Sequence, residues 1–531
     1  MYTNEMRELI KKVEETRLKR IEEGDFKRMT ADEKSAVLKE NHPDYIESTF
    51  VNLTMGENIG DKVPKELGEL LQGKSRVLNK NINLEKIDYE SDILIIGGGG
   101  SGAAAALEAH KKGASVIIAT KLRFGDANTM MAEGGIQGAD KENDSITQHY
   151  LDVIGGGHYS NIPELAAALV KDAPESIKWL NDFGVMFDKD KDGTMITTHG
   201  GGTSRKRMHA AADYTGAEIM RVLRDEVQNK EIEVVEFAPV IELLTNENGD
   251  VTGAILFNLE TEEYLVAKAK KVIIATGGAG RLHYQGFPTS NHYGATADGL
   301  ILGYRAGAKL AFADTIQYHP TGVAYPAQIF GALVTEKVRS LGATPLNKFG
   351  EQFVYHLETR DVEASAIIKE CNIKNNGIET PNGGMGIWLD TPLIEILNGE
   401  GTIEKRVPAM LRMYQKFGID MRKEPILIYP TLHYQNGGLL INEFGETNIK
   451  NLFVAGEAAG GIHGKNRLMG NSLLDIIVFG RRSGKKAGED SLSESYGTLS
   501  LNHLDRFYLN SNEVNNIVSP MLLPKYTHRE K

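Results

Sequence analysis

The sequence predicts an α/β protein: a Rossmann-like domain split by an inserted α+β domain and preceded by a mostly helical extension. Three observations predict it. A buried-type strand runs directly into a glycine turn and a helix at residues 92–110. Two further strand–glycine segments follow, so that the three span more than 350 residues. Glycine is also over-used, with 57 among 531 residues against a usual share of about 7%. The glycines have no collagen-like period and read as tight turns and close backbone approaches.

Residues 1–40 read as helix. Met6, Leu9, Ile10 and Val13 share one face at helical spacing. Thr30 with Glu33 fits a capping box opening a second helix through Ala36, Val37 and Leu38. Residues 41–90 carry Pro43, Pro64 and several glycines and read as irregular, the whole forming an N-terminal extension over 1–90. Two roles are open for it: packing around the core, or docking a partner subunit.

At Asp92 the texture changes. Asp92-Ile-Leu-Ile-Ile96 is the continuous apolar run of a buried parallel strand. Gly97, Gly99 and Gly102 then form GxGxxG, followed by helix from Ala103 to His110 and strand from Ala114 to Ala119. The first glycine makes the turn, the second admits a pyrophosphate against the backbone, and the third lets helix pack on strand. The other two segments are Lys271-Val-Ile-Ile-Ala-Thr-Gly-Gly278 and Asn451-Leu-Phe-Val-Ala-Gly-Glu-Ala-Ala-Gly460. Contacts from both chain halves suit the long FAD better than NAD. The second strand ends in Thr120-Lys121, without the acidic ribose partner usual for NAD.

The expected division is 91–314 and 431–490 for the two parts of the FAD-binding domain, 315–430 for the capping insert, and 491–531 for a polar tail. The net charge of −12 disfavours nucleic acid as the main partner. The single cysteine, Cys371, excludes an internal disulfide, a four-cysteine iron–sulfur site and a CxxCH haem attachment. No metal site is expected. No apolar run reaches the roughly 18 residues of a membrane span, and the charged N-terminus lacks a signal core, so the cytoplasm is the expected location.

His319, Arg360, His433 and Arg467 flank the flavin segments on both sides of the insertion. Singly, a histidine before proline is a common turn residue, and an arginine beside aspartate a common surface pair. Together, two arginines and two histidines suit a small dianion, because guanidinium grips carboxylate with two charge-assisted hydrogen bonds. The residues alone imply a flavoenzyme acting on a small carboxylate.

From Asp92 to about Lys485 the chain resembles the flavoprotein subunits of the succinate dehydrogenase/fumarate reductase family, within the superfamily that includes L-aspartate oxidase. The stretches carrying the resemblance are IIGGGGSG, NTMMAEGGIQGA, AADYTG, ATGGAG, TADG, QYHPTG, VTE, TRD, LHYQNGG, VAGEAAGGIHG and NRLMGNSL, over about three quarters of the chain in the family's order. The resemblance implies a glutathione-reductase-type FAD domain with a capping domain. It implies that Gly97 to Gly102 hold the pyrophosphate. Thr120, Lys121, Asn128, Thr129, Gly134 and Gly135 would run along the ribityl chain and isoalloxazine. Asp298, Glu457, Ser472 and Leu473 match further FAD contacts. His319, Thr335, His433 and Arg467 match the clamp on the two carboxylates of fumarate or succinate. Arg360 matches the residue exchanging a proton with substrate, and Glu336 part of the relay behind it.

Departures from the family pattern carry expectations too. Ala127-Asn128-Thr129 stands where membrane-bound relatives have an SHT-like triplet whose histidine attaches FAD covalently. FAD is therefore expected to be non-covalent, which in the family leans the protein toward reducing an alkene or toward oxidase-like chemistry. With only about 45 residues after the last match, the C-terminal helical domain of the membrane-complex subunits is expected to be absent, and the resemblance places no counterpart for residues 1–90. An iron–sulfur subunit is the expected electron partner. Three alternatives stand beside fumarate reduction: L-aspartate oxidation, against which Gly322 after His-Pro-Thr speaks; reduction of another unsaturated acid; and a non-catalytic FAD-binding subunit.

Overall fold

A computed structural model describes residues 2–509 and 514–522. Parts of the expected tail, 510–513 and 523–531, lie outside the described residues, as does residue 1. The strand Tyr89–Ile96 sits mid-sheet because Ile93 to Ile96 are apolar on both faces and buried. Its parallel neighbours are Val116–Ala119, with Ile93 opposite Val116, and Tyr264–Ile274, with Ile96 opposite Ile274. Leu452–Val454 pairs parallel with the last three residues of Tyr264–Ile274, Val272 facing Leu452. The three strand–glycine segments are thus neighbours in one sheet, seven-stranded among the described residues. All three aim their C-terminal ends, and the glycine turns after them, at one edge, where α/β sheets bind ligands.

A second sheet has five strands among the described residues. It is antiparallel, built on Ile316–Tyr325, Ile426–Gln435, Met385–Leu389 and Pro345–Leu346. Trp388, Ile387, Ile428 and Val338 form its core. Helix Gly100–Lys111 and helix Asn471–Ser491 pack together over the first sheet through their alanines and glycines. Among the described residues no helix is long and apolar enough to cross a membrane.

The N-terminal helices form as read. Asn4–Glu23 is capped by Thr3, and Ala31–Asn41 opens with the Thr30–Glu33 capping box. The apolar face of the first is not left over for a partner, however. Tyr2, Met6, Ile10 and Val13 are buried in the core of the insert. Arg17 and Arg20 close on the fully buried carboxylate of Asp390 at 2.8 and 2.7 Å.

Residues 41–90 are more ordered than their prolines suggest. A hairpin pairs Phe50–Asn52 with Lys62–Pro64, and helix Lys65–Leu71 sends Leu67, Leu70 and Leu71 into the main core. Nor is the segment after residue 490 a simple polar tail. Helix Asn502–Tyr508 follows, and Val518–Ser519 pairs parallel with Lys74–Ser75. Buried Arg305 holds these pieces, donating to the carbonyls of Gly73 and Ser519 at 2.9 Å each and to Glu242 at 3.2 Å.

Candidate active site

At the glycine turn, Gly97 has φ +121°, and a Cβ there would lie 2.2 Å from the Ala275 carbonyl oxygen. A Cβ at Gly102 would lie 2.0 Å from the carbonyl oxygen of Gly97. Neither position admits a side chain, so strand, turn and helix close up only with glycine. Helix Gly100–Lys111 begins at Gly99 with no side-chain cap. Its leading N–H groups and dipole face the turn, the arrangement that binds a phosphate.

One cavity, open to solvent, lies there. Gly97, Gly99, Thr120, Lys121, Asn128 and Thr129 line it, as do Gly134, Gly135, Asp298, Glu457, Ser472 and Leu473. Gly102 lies behind the turn.

Lys121 Nζ donates to Asp298 Oδ2 at 2.6 Å and to Thr296 Oγ1 at 2.7 Å. Asn128 is engaged at both ends of its amide. Its Nδ2 donates to Asn291 Oδ1 at 2.7 Å, and its Oδ1 accepts from the His292 N–H at 2.7 Å. Glu457 Oε1 accepts from the Gln435 N–H at 3.0 Å, and burial pushes its carboxyl above the usual range. The glycine cradle, the uncapped helix and this polar wall fit FAD.

His319, Thr335, Glu336, Arg360, His433 and Arg467 line the same cavity. The two histidines come from paired strands of the insert sheet. A register shift between Gln317/Tyr434 and Tyr318/Leu432 leaves His433 out of the pairing. Their rings stand 4.9 Å apart at 68°. His319 Nδ1 accepts from the Thr321 N–H at 3.2 Å, which leaves Nε2 carrying the proton. His433 Nδ1 shares a 2.7 Å hydrogen bond with Ser290 Oγ. Burial, then the neighbouring Arg360, holds both rings well below the usual histidine range, so both are neutral. Thr335 is buried beside Glu336.

Arg360 opens helix Arg360–Ile368. Its Nε donates to Glu336 Oε2 at 2.8 Å, and its Nη1 to Gln317 Oε1 at 2.9 Å. Arg467 Nη2 donates to that same Gln317 oxygen at 2.9 Å, and its guanidinium lies 4.4 Å over the Tyr434 ring. Glu336 also accepts from the Gly201 N–H at 2.5 Å and lies 3.3 Å from Arg339 Nη2. Burial opposes its charge, but Arg360 and Arg339 outweigh burial and hold the carboxyl below its usual value.

Arg467 forms no ion pair among the described residues, and Glu457 and Glu336 offset its burial only in part. It is 2% exposed, its Nε has no hydrogen-bond partner among the described residues, and burial with Arg360 beside it pushes its pKa down to about 9. A buried cation without an ion-pair partner is costly, and an anionic ligand removes that cost.

The site residues named from the sequence, Gly102 excepted, thus line one cavity. Gln317 and Arg339 were not among them. Gln317 lies two residues before His319, on the same strand face, and Arg339 lies one helical turn after Glu336; both spacings were readable.

A family model described as an FAD binding domain matches residues 92–473. In the CoM/CoB fumarate reductase of Methanothermobacter marburgensis, one subunit is 39% identical over 77% of this chain and 74% of its own length. The L-aspartate oxidase of Streptomyces coelicolor is 32% identical over 77% of this chain and 70% of its own. Among solved structures, the quinol fumarate reductase flavoprotein of E. coli superposes with a TM-score of 0.72, at 29% identity, covering 79% of this chain and 73% of its own.

Proposed function

We propose that this chain, a member of the flavoprotein family of succinate dehydrogenases, fumarate reductases and L-aspartate oxidases, is an FAD-dependent oxidoreductase that reduces fumarate to succinate. The observation that carries the substrate class is Arg467: buried, without a carboxylate partner among the described residues, and joined to Arg360 through one amide oxygen at the cofactor cavity.

FAD, when bound, supplies the hydride that adds to one alkene carbon. The chain's own residues do the rest. Arg467 and His433 grip one carboxylate, where donors strengthen as negative charge develops. His319 and Thr335 grip the other, so that the substrate is held at both ends in one orientation. His319 presents Nε2–H and not a lone pair, as a carboxylate requires. Arg360 gives its proton to the second carbon. Its guanidinium is buried, and desolvation lowers its pKa while Glu336 opposes that shift. Glu336, ionised between Arg360 and Arg339, accepts a proton from Arg339 and passes it to Arg360.

FAD is held non-covalently in this reading, since Asn128 spends its amide on Asn291 and His292 and has no nucleophilic nitrogen. Electrons come from an iron–sulfur partner. The one cysteine, Cys371, is buried, and burial raises its thiol to about 12. The site of action is the cytoplasm, with any membrane association through partners.

A second reading, oxidation of L-aspartate, is supported by the related oxidase. One pair of assays separates them: anaerobic viologen oxidation by fumarate, and peroxide release from L-aspartate in air. Fumarate turnover without peroxide supports the first reading, and peroxide without fumarate turnover replaces it with the second.

A further inference from the structure

Each turnover of the reaction proposed above removes one proton from Arg360. Arg360, Glu336 and Arg339 are all buried, so none of them exchanges freely with water. The line of contacts continues past Arg339. Its Nη1 contacts Glu363 Oε2 and also donates to the His356 carbonyl at 2.7 Å. Glu363 is itself wholly buried and lies one turn after Arg360 on the same helix. Both ends of the line Arg360–Glu336–Arg339–Glu363 are therefore carried by one rigid element.

The second oxygen of Glu363, Oε1, has no hydrogen-bond partner among the described residues. A bare, buried carboxylate oxygen is costly as an anion and far less so as a carboxylic acid. The charged groups facing it are divided, and burial decides. Burial raises Glu363, Arg339 opposes, Glu336 and Glu358 raise it further, and Arg360 opposes; the balance is about 8.

Glu358 leads outward. Its Oε2 is also without a partner among the described residues, while its Oε1 accepts from Lys34 Nζ at 2.6 Å and from the Thr359 N–H at 3.2 Å. Lys34 belongs to helix Ala31–Asn41, which packs along helix Arg360–Ile368, and its side chain is 33% exposed. Lys34 thus meets solvent at the rim of the N-terminal extension, and Glu358 is buried directly beneath it.

We propose that Glu363 stores the proton that reloads Arg360, and that it is refilled from solvent past Glu358 under helix Ala31–Asn41. The proposal rests on the fumarate-reducing reading. When Arg360 has protonated the substrate carbon, Glu336 shuttles a proton to it from Arg339, which takes the Glu363 proton in exchange. One proton moves, no electron moves, and Glu363 is left as a carboxylate until water reprotonates it through Glu358. Glu363 positions a proton and touches no substrate.

The test is the pH profile and solvent deuterium isotope effect of fumarate reduction by reduced viologen, on full-length FAD-loaded protein. In the native chain kcat should fall as pH rises through about 8, because the store empties. Glu363→Gln should lower kcat at neutral pH at least about tenfold, a modest share of general acid–base catalysis. It should raise the isotope effect, abolish the alkaline limb, and leave FAD content and the KM for fumarate unchanged. Glu363→Asp should recover part of the rate and restore a titrating limb. If Glu363→Gln does not hold FAD, Glu358→Gln, which spares the Arg339 contact, should slow turnover and raise the isotope effect in the same way. A Glu363→Gln enzyme, or failing it a Glu358→Gln enzyme, with the native rate, profile and isotope effect overturns the relay alone. A native protein inactive toward fumarate overturns the functional reading, and the relay falls with it.

Discussion

Arg360 and Arg467 donate to the same atom, Gln317 Oε1, each at 2.9 Å. Two buried guanidiniums, on elements more than a hundred residues apart in sequence, are thereby brought to one neutral acceptor. Glu336 offsets the charge of Arg360, while that of Arg467 is left for the ligand. The amide side chain holds both forks in place without quenching either charge, as a second carboxylate would.

Gln317→Leu should therefore act on catalysis more than on cofactor. It removes the shared acceptor and leaves two repelling cations. The expected result is a fall of about tenfold or more in kcat/KM for fumarate, since leaving buried donors unpaired costs about 1–3 kcal/mol each. FAD content, read from the flavin absorbance, should stay at the native level.

Arg360→Gln should abolish turnover while FAD remains bound. Glutamine cannot donate the proton, and the side-chain bonds of Arg360 run to Glu336 and Gln317, outside the glycine cradle. Steady-state assay with reduced viologen measures it. Retention of a tenth of native turnover, only about 1.4 kcal/mol of barrier, would be too much activity for the assigned role.

Acid precipitation should release all of the flavin into the supernatant. Asn128, in the position of the attaching histidine, is locked by Asn291 and His292. Fluorescent flavin remaining on the denatured polypeptide in a gel would show a covalent link instead.

The N-terminal helix Asn4–Glu23 should matter for folding before it matters for any partner. Asp390 is wholly buried and held by Arg17 and Arg20. Deleting residues 1–24 strips Met6, Ile10 and Val13 from the insert core and leaves that charge unpaired. Breaking a buried pair costs about 3–5 kcal/mol, so the truncated chain should melt well below the full one in a thermal scan or not accumulate as soluble protein. Arg17→Ala with Arg20→Ala should reproduce much of the loss.

Buried neutral histidines set a pH dependence of stability. Burial holds His42 and His149 at about 4, against 6.5 for the free side chain. His319 and His433 are lowered as well. Below about 6.5 the unfolded chain takes up protons at these histidines that the folded chain refuses, so their contribution to stability falls as pH drops from 6.5 toward 4, outweighing the opposite contribution of Glu363, held protonated to about 8. Thermal midpoints measured from about pH 7.5 to 5 should decline on the acid side, and calorimetry should detect proton uptake on unfolding in that window.

How much of this could be read in advance differs by feature. The cradle at Gly97 and Gly102 was legible because no other residue fits those positions, so the chemistry is written in residue type. The helix periodicity of Met6, Ile10 and Val13 was legible too, but its acceptor was not. The insert core and Asp390 come from residues hundreds of positions later, and periodicity says only that a face is apolar. The short run Leu67, Leu70, Leu71 sits among prolines and glycines, which hid its burial. His319, Arg360, His433 and Arg467 each had an ordinary alternative singly; only folding brings them to one cavity. Gln317 and Arg339 escaped because their roles exist only through the distances to those four and to Glu336.

The most direct measurement is the product of anaerobic turnover by the purified FAD-loaded protein, with reduced viologen as donor and fumarate or crotonate as acceptor. A two-ended clamp predicts one succinate formed from fumarate for every two electrons drawn from viologen, and almost no reduction of crotonate, whose single carboxylate leaves one pair of donors unpaired. Equal turnover of crotonate, or no fumarate-dependent oxidation of viologen by protein that carries its flavin, would contradict it.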